Sequence, residues 1–153
     1  MSLLKFSVSG KSETPTRFAA RARQFSIVVD EPAALGGTDE AANPVEYLLA
    51  SYAGCLNVVA HLVAQELEIQ LNGLKISIEG EIDPSRLFGQ PTEERAGYQS
   101  LTVRLEPETN AREIDLKVWL KEVERRCPVN DNLSRSTPIS LLVESKPLLK
   151  RAS

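Results

Sequence analysis

The chain of 153 residues contains two cysteines, Cys55 and Cys127, and one histidine, His61. Two thiols cannot build a disulfide scaffold. A single imidazole leaves zinc or iron to be held almost entirely by carboxylates, so neither a metal nor a cofactor is expected. Basic charge is also short: 18 Lys and Arg stand against 21 Asp and Glu, for a net charge of −3. No electrostatic footprint for a nucleic acid or an anionic membrane results. The N-terminal residues MSLLKFSVSG lack a basic region followed by an apolar run. No signal peptide is read there, and the expectation is a cytoplasmic protein with reduced thiols. What remains, with 42% hydrophobic and 25% charged residues, is one globular domain over residues 1–153.

Alternating apolar positions predict an antiparallel hairpin from Leu3–Ser9 and Arg17–Val29, followed by a loop over Asp30–Ala42 that contains Gly36-Gly37. Asn43-Pro44-Val45-Glu46 then carries a helix-start signature: a capping Asn, Pro in the first turn, and Glu three residues after the cap. The run Tyr47–Ala64 that follows is apolar or small on nearly every side. Its length approaches the ~20 residues of a membrane span. Ser51, Gly54, Asn57 and His61 interrupt it, however, and no Lys/Arg cluster flanks it, so a buried core helix is preferred. A domain of this size rarely encloses such a helix alone, which predicts a partner subunit.

Leu74–Ile82 and Tyr98–Leu105 read as paired strands joined by a polar connection. A second helix is expected to start at a cap on Asn110 and end at Pro128, with Ile114, Val118, Leu120 and Val123 on its apolar side and Leu116 and Trp119 nearby. Ile139–Val143 reads as a closing strand. The class is α+β, mostly antiparallel, in the order β-β-α-β-β-α-β.

The thiols allow two readings. Both could be small core hydrophobes. Alternatively they form a redox pair, although burial raises a thiol's pKa and Cys55 would stay inert without a nearby cation. A Cys55–His61 dyad is disfavoured, because six residues of helix turn through about 600° and leave the two side chains some 120° apart.

Asp30-Glu31-Pro32, Gly36-Gly37, Asn43-Pro44-x-Glu46-x-Leu48-Leu49, Ala53-Gly54-Cys55 and Cys127-Pro128-Val129 together resemble the OsmC/Ohr family across nearly the whole chain. The resemblance implies an intertwined homodimer with buried central helices and active sites at the subunit interface. It further implies reduction of organic hydroperoxides, with Cys55 as the peroxidatic thiol, Cys127 as the resolving thiol, and a dithiol such as a lipoylated protein as reductant. The family's arginine corresponds to one of Arg17, Arg21 and Arg23, which are read as sharing one strand face; Arg17, nearest the turn, is the first choice. In the peroxidase branches a glutamate directly follows the proline. Here Val45 holds that place and Glu46 comes one residue later, so Glu46 is a displaced candidate that a capping role explains equally well. The alternative function is an OsmC-like protein without peroxidase activity that binds an apolar small molecule at the dimer interface.

Overall fold

Turn chemistry shapes the N-terminal region. In the computed structural model, which describes residues 2–145, β1 (Ser9–Ser12), β2 (Phe18–Ala22) and β3 (Phe25–Val29) form an antiparallel sheet in that order. The expected strand at Leu3–Ser9 is thus displaced: pairing begins at Ser9, opposite Arg21. Leu3, Leu4, Phe6 and Val8 stay exposed. The expected single strand Arg17–Val29 is two, because the chain reverses at Arg23, whose φ of 56° breaks the extended run. Arg17, Arg21 and Arg23 therefore do not share a strand face: Arg17 precedes β2, Arg21 lies in it, and Arg23 forms the turn.

The loop after β3 is closed from within by Asp30, which is fully buried. Its Oδ2 accepts hydrogen bonds from the Thr38 hydroxyl at 2.6 Å, the Thr38 N–H at 3.1 Å and the Glu40 N–H at 3.3 Å. The Thr38 hydroxyl does most to hold this carboxyl below its usual pKa, against the opposing effect of burial. Gly37 passes so close to the Glu31 carbonyl that a Cβ would overlap it.

Helix α1 (Pro44–Glu66) starts with the expected reciprocal cap. Asn43 Oδ1 accepts the Glu46 N–H at 2.9 Å, and Glu46 Oε2 accepts the Asn43 N–H at 2.8 Å. The next two strands, β4 (Gly73–Glu81) and β5 (Ser100–Glu108), pair antiparallel, as read from the alternation. Ile76 faces Leu105 and Ile78 faces Val103 across the ladder, and all four pack against the core that α1 and α2 form. Lys75 and Glu106, one residue out of phase, form an exposed ion pair at 2.9 Å.

Helix α2 (Glu113–Arg126) is followed at once by the short α3 (Pro128–Ser134). Three expectations change here. The cap of α2 is Arg112, with no side-chain capping bond, rather than Asn110. The face that α2 buries carries Leu116, Trp119, Val123 and, just beyond its end, Cys127, spaced by three or four residues. Ile114, Val118 and Leu120 are left exposed. The closing strand at Ile139–Val143 is absent, because these residues pair with no strand among the described residues and Ile139, Leu141, Leu142 and Val143 project into solvent.

The core is built on one stripe of α1, namely Tyr52, Leu56, Val59, Ala60, Val63 and Ala64, against Trp119, Val123 and Cys127. The indole N–H of Trp119 donates to the Ala60 carbonyl at 2.9 Å, locking the two helices in register. At their ends Arg126 grips the Glu66 carboxylate with both terminal nitrogens. Only 33% of the most apolar 18-residue window of α1 is buried. Val58 and Leu62, on the opposite side, are 65% and 46% exposed. The N-terminal sheet packs mainly on itself, and the Tyr47 phenol ties it to α1 by donating to the Val28 carbonyl at 2.7 Å.

Candidate functional site

Helix geometry puts Cys55 near the middle of α1, one turn beyond Tyr52 and half-buried beside the core stripe. Cys127 is fully buried at the junction where α2 ends and α3 begins. The Pro128 that stops α2 occupies the first turn of α3, and Cys127 serves both helices. Its N–H bonds to the Val123 carbonyl at 3.2 Å, closing α2, while its sulfur accepts the Asn130 N–H at 3.4 Å, opening α3. Sequence reasoning read Pro128 only as a stop. Pro in the first turn with Asp131 behind it was the available start signal.

The fold brings the two thiols together. The sulfurs are 2.9 Å apart, with Cys127 donating its S–H toward Cys55. Both cysteines are free. Burial pushes the Cys127 thiol above its ordinary pKa, and the hydrogen bond to Cys55 adds to the rise, outweighing the Asn130 N–H. Cys127 therefore holds its proton at neutral pH. Tyr52 is raised as well, first by burial and then by the negative potential of Cys127, Glu124 and Cys55. Its hydroxyl donates to Asn130 Oδ1 at 2.6 Å.

The two other sequence candidates lie elsewhere. Arg17 bonds Glu13 through Nε at 2.7 Å and Glu40 through Nη1, within the N-terminal hairpin and loop. Since the Glu40 N–H is itself fastened to Asp30, the guanidinium is held within this hairpin-and-loop network, and its ion-pair partners are carboxylates. Glu46 is engaged in the cap of α1 and pairs with no arginine among the described residues. His61 is exposed and bonds the Asn57 carbonyl in its own helix at 2.8 Å, apart from both thiols. Among the described residues, no three His, Cys, Asp or Glu side chains converge as metal ligands would.

A pocket of about 360 Å³ opens beside this centre. Leu48, Leu101, Val103 and Leu133 give it apolar walls, Arg95, Gln99 and Ser134 add polar groups, and Tyr52 and Asn130 also line it. Sequence reasoning missed both of these residues. Tyr52 carries the spacing of a plain core position, and nothing local marks Asn130.

The class so defined is an antiparallel α+β domain with two free thiols in contact, one on its central helix and one at a helix junction. The OsmC-like protein family profile matches residues 37–142, and the chain belongs to that family. Among solved structures it is similar to an OsmC-like protein from Mycoplasma pneumoniae, with 23% identity and a TM-score of 0.75, covering 87% of this chain and 89% of that one. An organic hydroperoxide resistance protein OsmC from Legionella pneumophila matches with 18% identity and a TM-score of 0.62, over 87% and 91% of the two chains. One from Elizabethkingia anophelis matches with 19% identity and a TM-score of 0.63, over 88% and 91%. No curated protein matches the chain.

Proposed function

We propose that the protein is a thiol-dependent peroxidase for organic hydroperoxides, acting as a cytoplasmic homodimer in oxidative-stress defence. The observation that carries this reading is the 2.9 Å contact in which Cys127 donates and Cys55 accepts. Burial and this bond keep the proton on Cys127, while Cys55 is only half-buried and the more accessible of the two, so the environments divide the labour between two otherwise similar residues. The Cys55 thiolate attacks the outer peroxide oxygen; the S–O bond forms, the O–O bond breaks, and the alkoxide takes a proton to leave as alcohol. Cys55 is then a sulfenic acid, and Cys127 attacks its sulfur to form a disulfide with loss of water. A dithiol, such as a lipoylated protein, restores both thiols and is itself oxidised to a disulfide. The pocket beside Tyr52, with apolar walls and polar groups on the same lining, suits a peroxide that carries a hydrocarbon part. The names of the Legionella and Elizabethkingia relatives support the same substrate class.

The homodimer is supported by the uncovered side of α1. Gly54 costs about 1 kcal/mol relative to Ala in a helix interior, yet among the described residues nothing beyond its chain neighbours and the backbone of its own helix lies within 4 Å of where its Cβ would be. Close approach by a second copy gives that glycine a reason, with Val58 and Leu62 burying against it. Arg17 is the cation assigned to Cys55, either released from Glu13 and Glu40 or supplied by the hairpin of the second protomer.

The test uses reduced protein, cumene hydroperoxide and dithiothreitol. Peroxide consumption is expected to require Cys55 and to vanish in Cys55→Ser; equal turnover in that variant overturns the proposal. A second reading, an apolar-ligand carrier without peroxidase activity, draws on the carboxylate-paired Arg17 and on Val45 at the glutamate position. It predicts ligand uptake in the pocket with no Cys55–Cys127 disulfide after peroxide treatment.

A further inference from the structure

The two thiols belong to different elements, so their separation depends on how the α2–α3 junction is held against α1. Trp119 and Arg126 fasten α2 along α1, but neither reaches α3. The hydrogen bond from Tyr52 to Asn130, at 2.6 Å, is the one between α1 and α3 among the described residues. Asn130 gathers the junction around itself. Its N–H bonds the Cys127 sulfur at 3.4 Å, and its Nδ2 donates to the Glu124 carbonyl at 3.1 Å in the last turn of α2. Tyr52 sits one turn before Cys55 and is 8% exposed, with its hydroxyl bonded to Asn130 at the pocket wall.

We propose that the Tyr52–Asn130 hydrogen bond is a clasp holding Cys127 in line with Cys55, which makes both residues positioning residues for disulfide formation. The step served is the attack of the Cys127 sulfur on the sulfenic sulfur of Cys55: an S–S bond forms, the S–O bond breaks, and hydroxide leaves with the thiol proton as water. Without the clasp α3 swings more freely, and the sulfurs meet in line less often. Through its sulfenic-acid step this inference rests on the peroxidase reading above, while the geometry it invokes applies to any coupling of the two thiols.

The test separates the two steps. Reduced wild type, Tyr52→Phe, Asn130→Ala and the double variant are treated with cumene hydroperoxide and quenched at intervals. Sulfenic acid is counted as its dimedone adduct and disulfide by peptide mass spectrometry. Each single variant is expected to slow disulfide formation about tenfold more than peroxide consumption, the factor one lost hydrogen bond carries. Sulfenic acid accumulates, and the double variant is no slower than the singles. A general loss of structure slows both steps alike and does not produce this split. A second arm uses diamide, which oxidises two thiols to a disulfide while being reduced to its hydrazine, with no peroxide involved. There the same variants slow the second, thiol-coupling phase by the same factor. If the peroxidase reading fails, the peroxide arm is silent in wild type and the diamide arm still reports the clasp. Disulfide formation at the wild-type rate in both single variants with diamide overturns the inference, as does equal slowing of both phases.

Discussion

Cys55 and Cys127 are alike in sequence type and unlike in environment, and the difference has measurable consequences. Cys127 is fully buried with a raised pKa, whereas Cys55 is half-buried. Iodoacetamide at neutral pH is therefore expected to label Cys55 first and Cys127 only after unfolding, as peptide mass spectrometry can follow. A thiol whose folded pKa exceeds its unfolded value binds more protons in the folded state. Its stabilisation is complete below the unfolded value and is lost as pH rises. Thermal melts of the reduced protein should begin to decline above pH 9.0, the ordinary thiol value. In Cys127→Ser that first decline should be missing, leaving the loss from Tyr52 and Tyr98, whose ordinary value is 10.0 and which are both raised, first by burial. Labelling of both thiols at equal rates, or identical alkaline profiles, would contradict the environments described.

At the scale of elements, the long helix and its start were legible in advance. The reciprocal Asn43–Glu46 cap is set by neighbours three residues apart, and local chemistry suffices for it. Asn43→Ala should cost about 1 kcal/mol of stability, read as a lower urea midpoint at unchanged slope. Helix α2 was legible as a helix but not in its orientation. Apolar residues surround it, and the pattern alone could not choose between Ile114–Val118 and Leu116–Trp119–Val123. The choice falls to Trp119, whose indole N–H finds a partner only at Ala60 of α1. Trp119→Phe removes that bond and part of the packing, and about 2 kcal/mol should be lost in the same urea titration.

For the molecule as a whole, the proposed dimer rests on the apolar, uncovered side of α1, where Val58 and Leu62 are exposed. Sedimentation of the wild type is expected to give a dimer. Val58→Asp with Leu62→Asp should give a monomer, because each would place a charge in a dry helix–helix contact. An unchanged sedimentation coefficient in that variant removes the support drawn from Gly54. Acidification acts on the same scale through Glu66, whose pKa is lowered by its bond to Arg126. That stabilisation is present above the ordinary value of 4.5 and fades as pH falls below it. It should be small, since the pair is partly solvated. Glu66→Gln should flatten the acid limb of the melting curve.

The α+β class, the capped helix, the strand pair β4–β5 and the identity of the two thiols followed from the sequence alone, because each rests on spacing within a short stretch of chain. Contacts between distant stretches did not follow. The turn at Arg23 splits one expected strand into two, and Ile139–Val143 finds no sheet edge to join. Arg17 is drawn to Glu13 and Glu40. The pairing of Cys55 with Cys127 was implied by the family resemblance alone; its geometry, and the Tyr52–Asn130 bond beside it, depend on how α2 and α3 settle on α1. Local propensity carries no information about that packing; burial of Trp119 and Val123 against one stripe of α1 decides it.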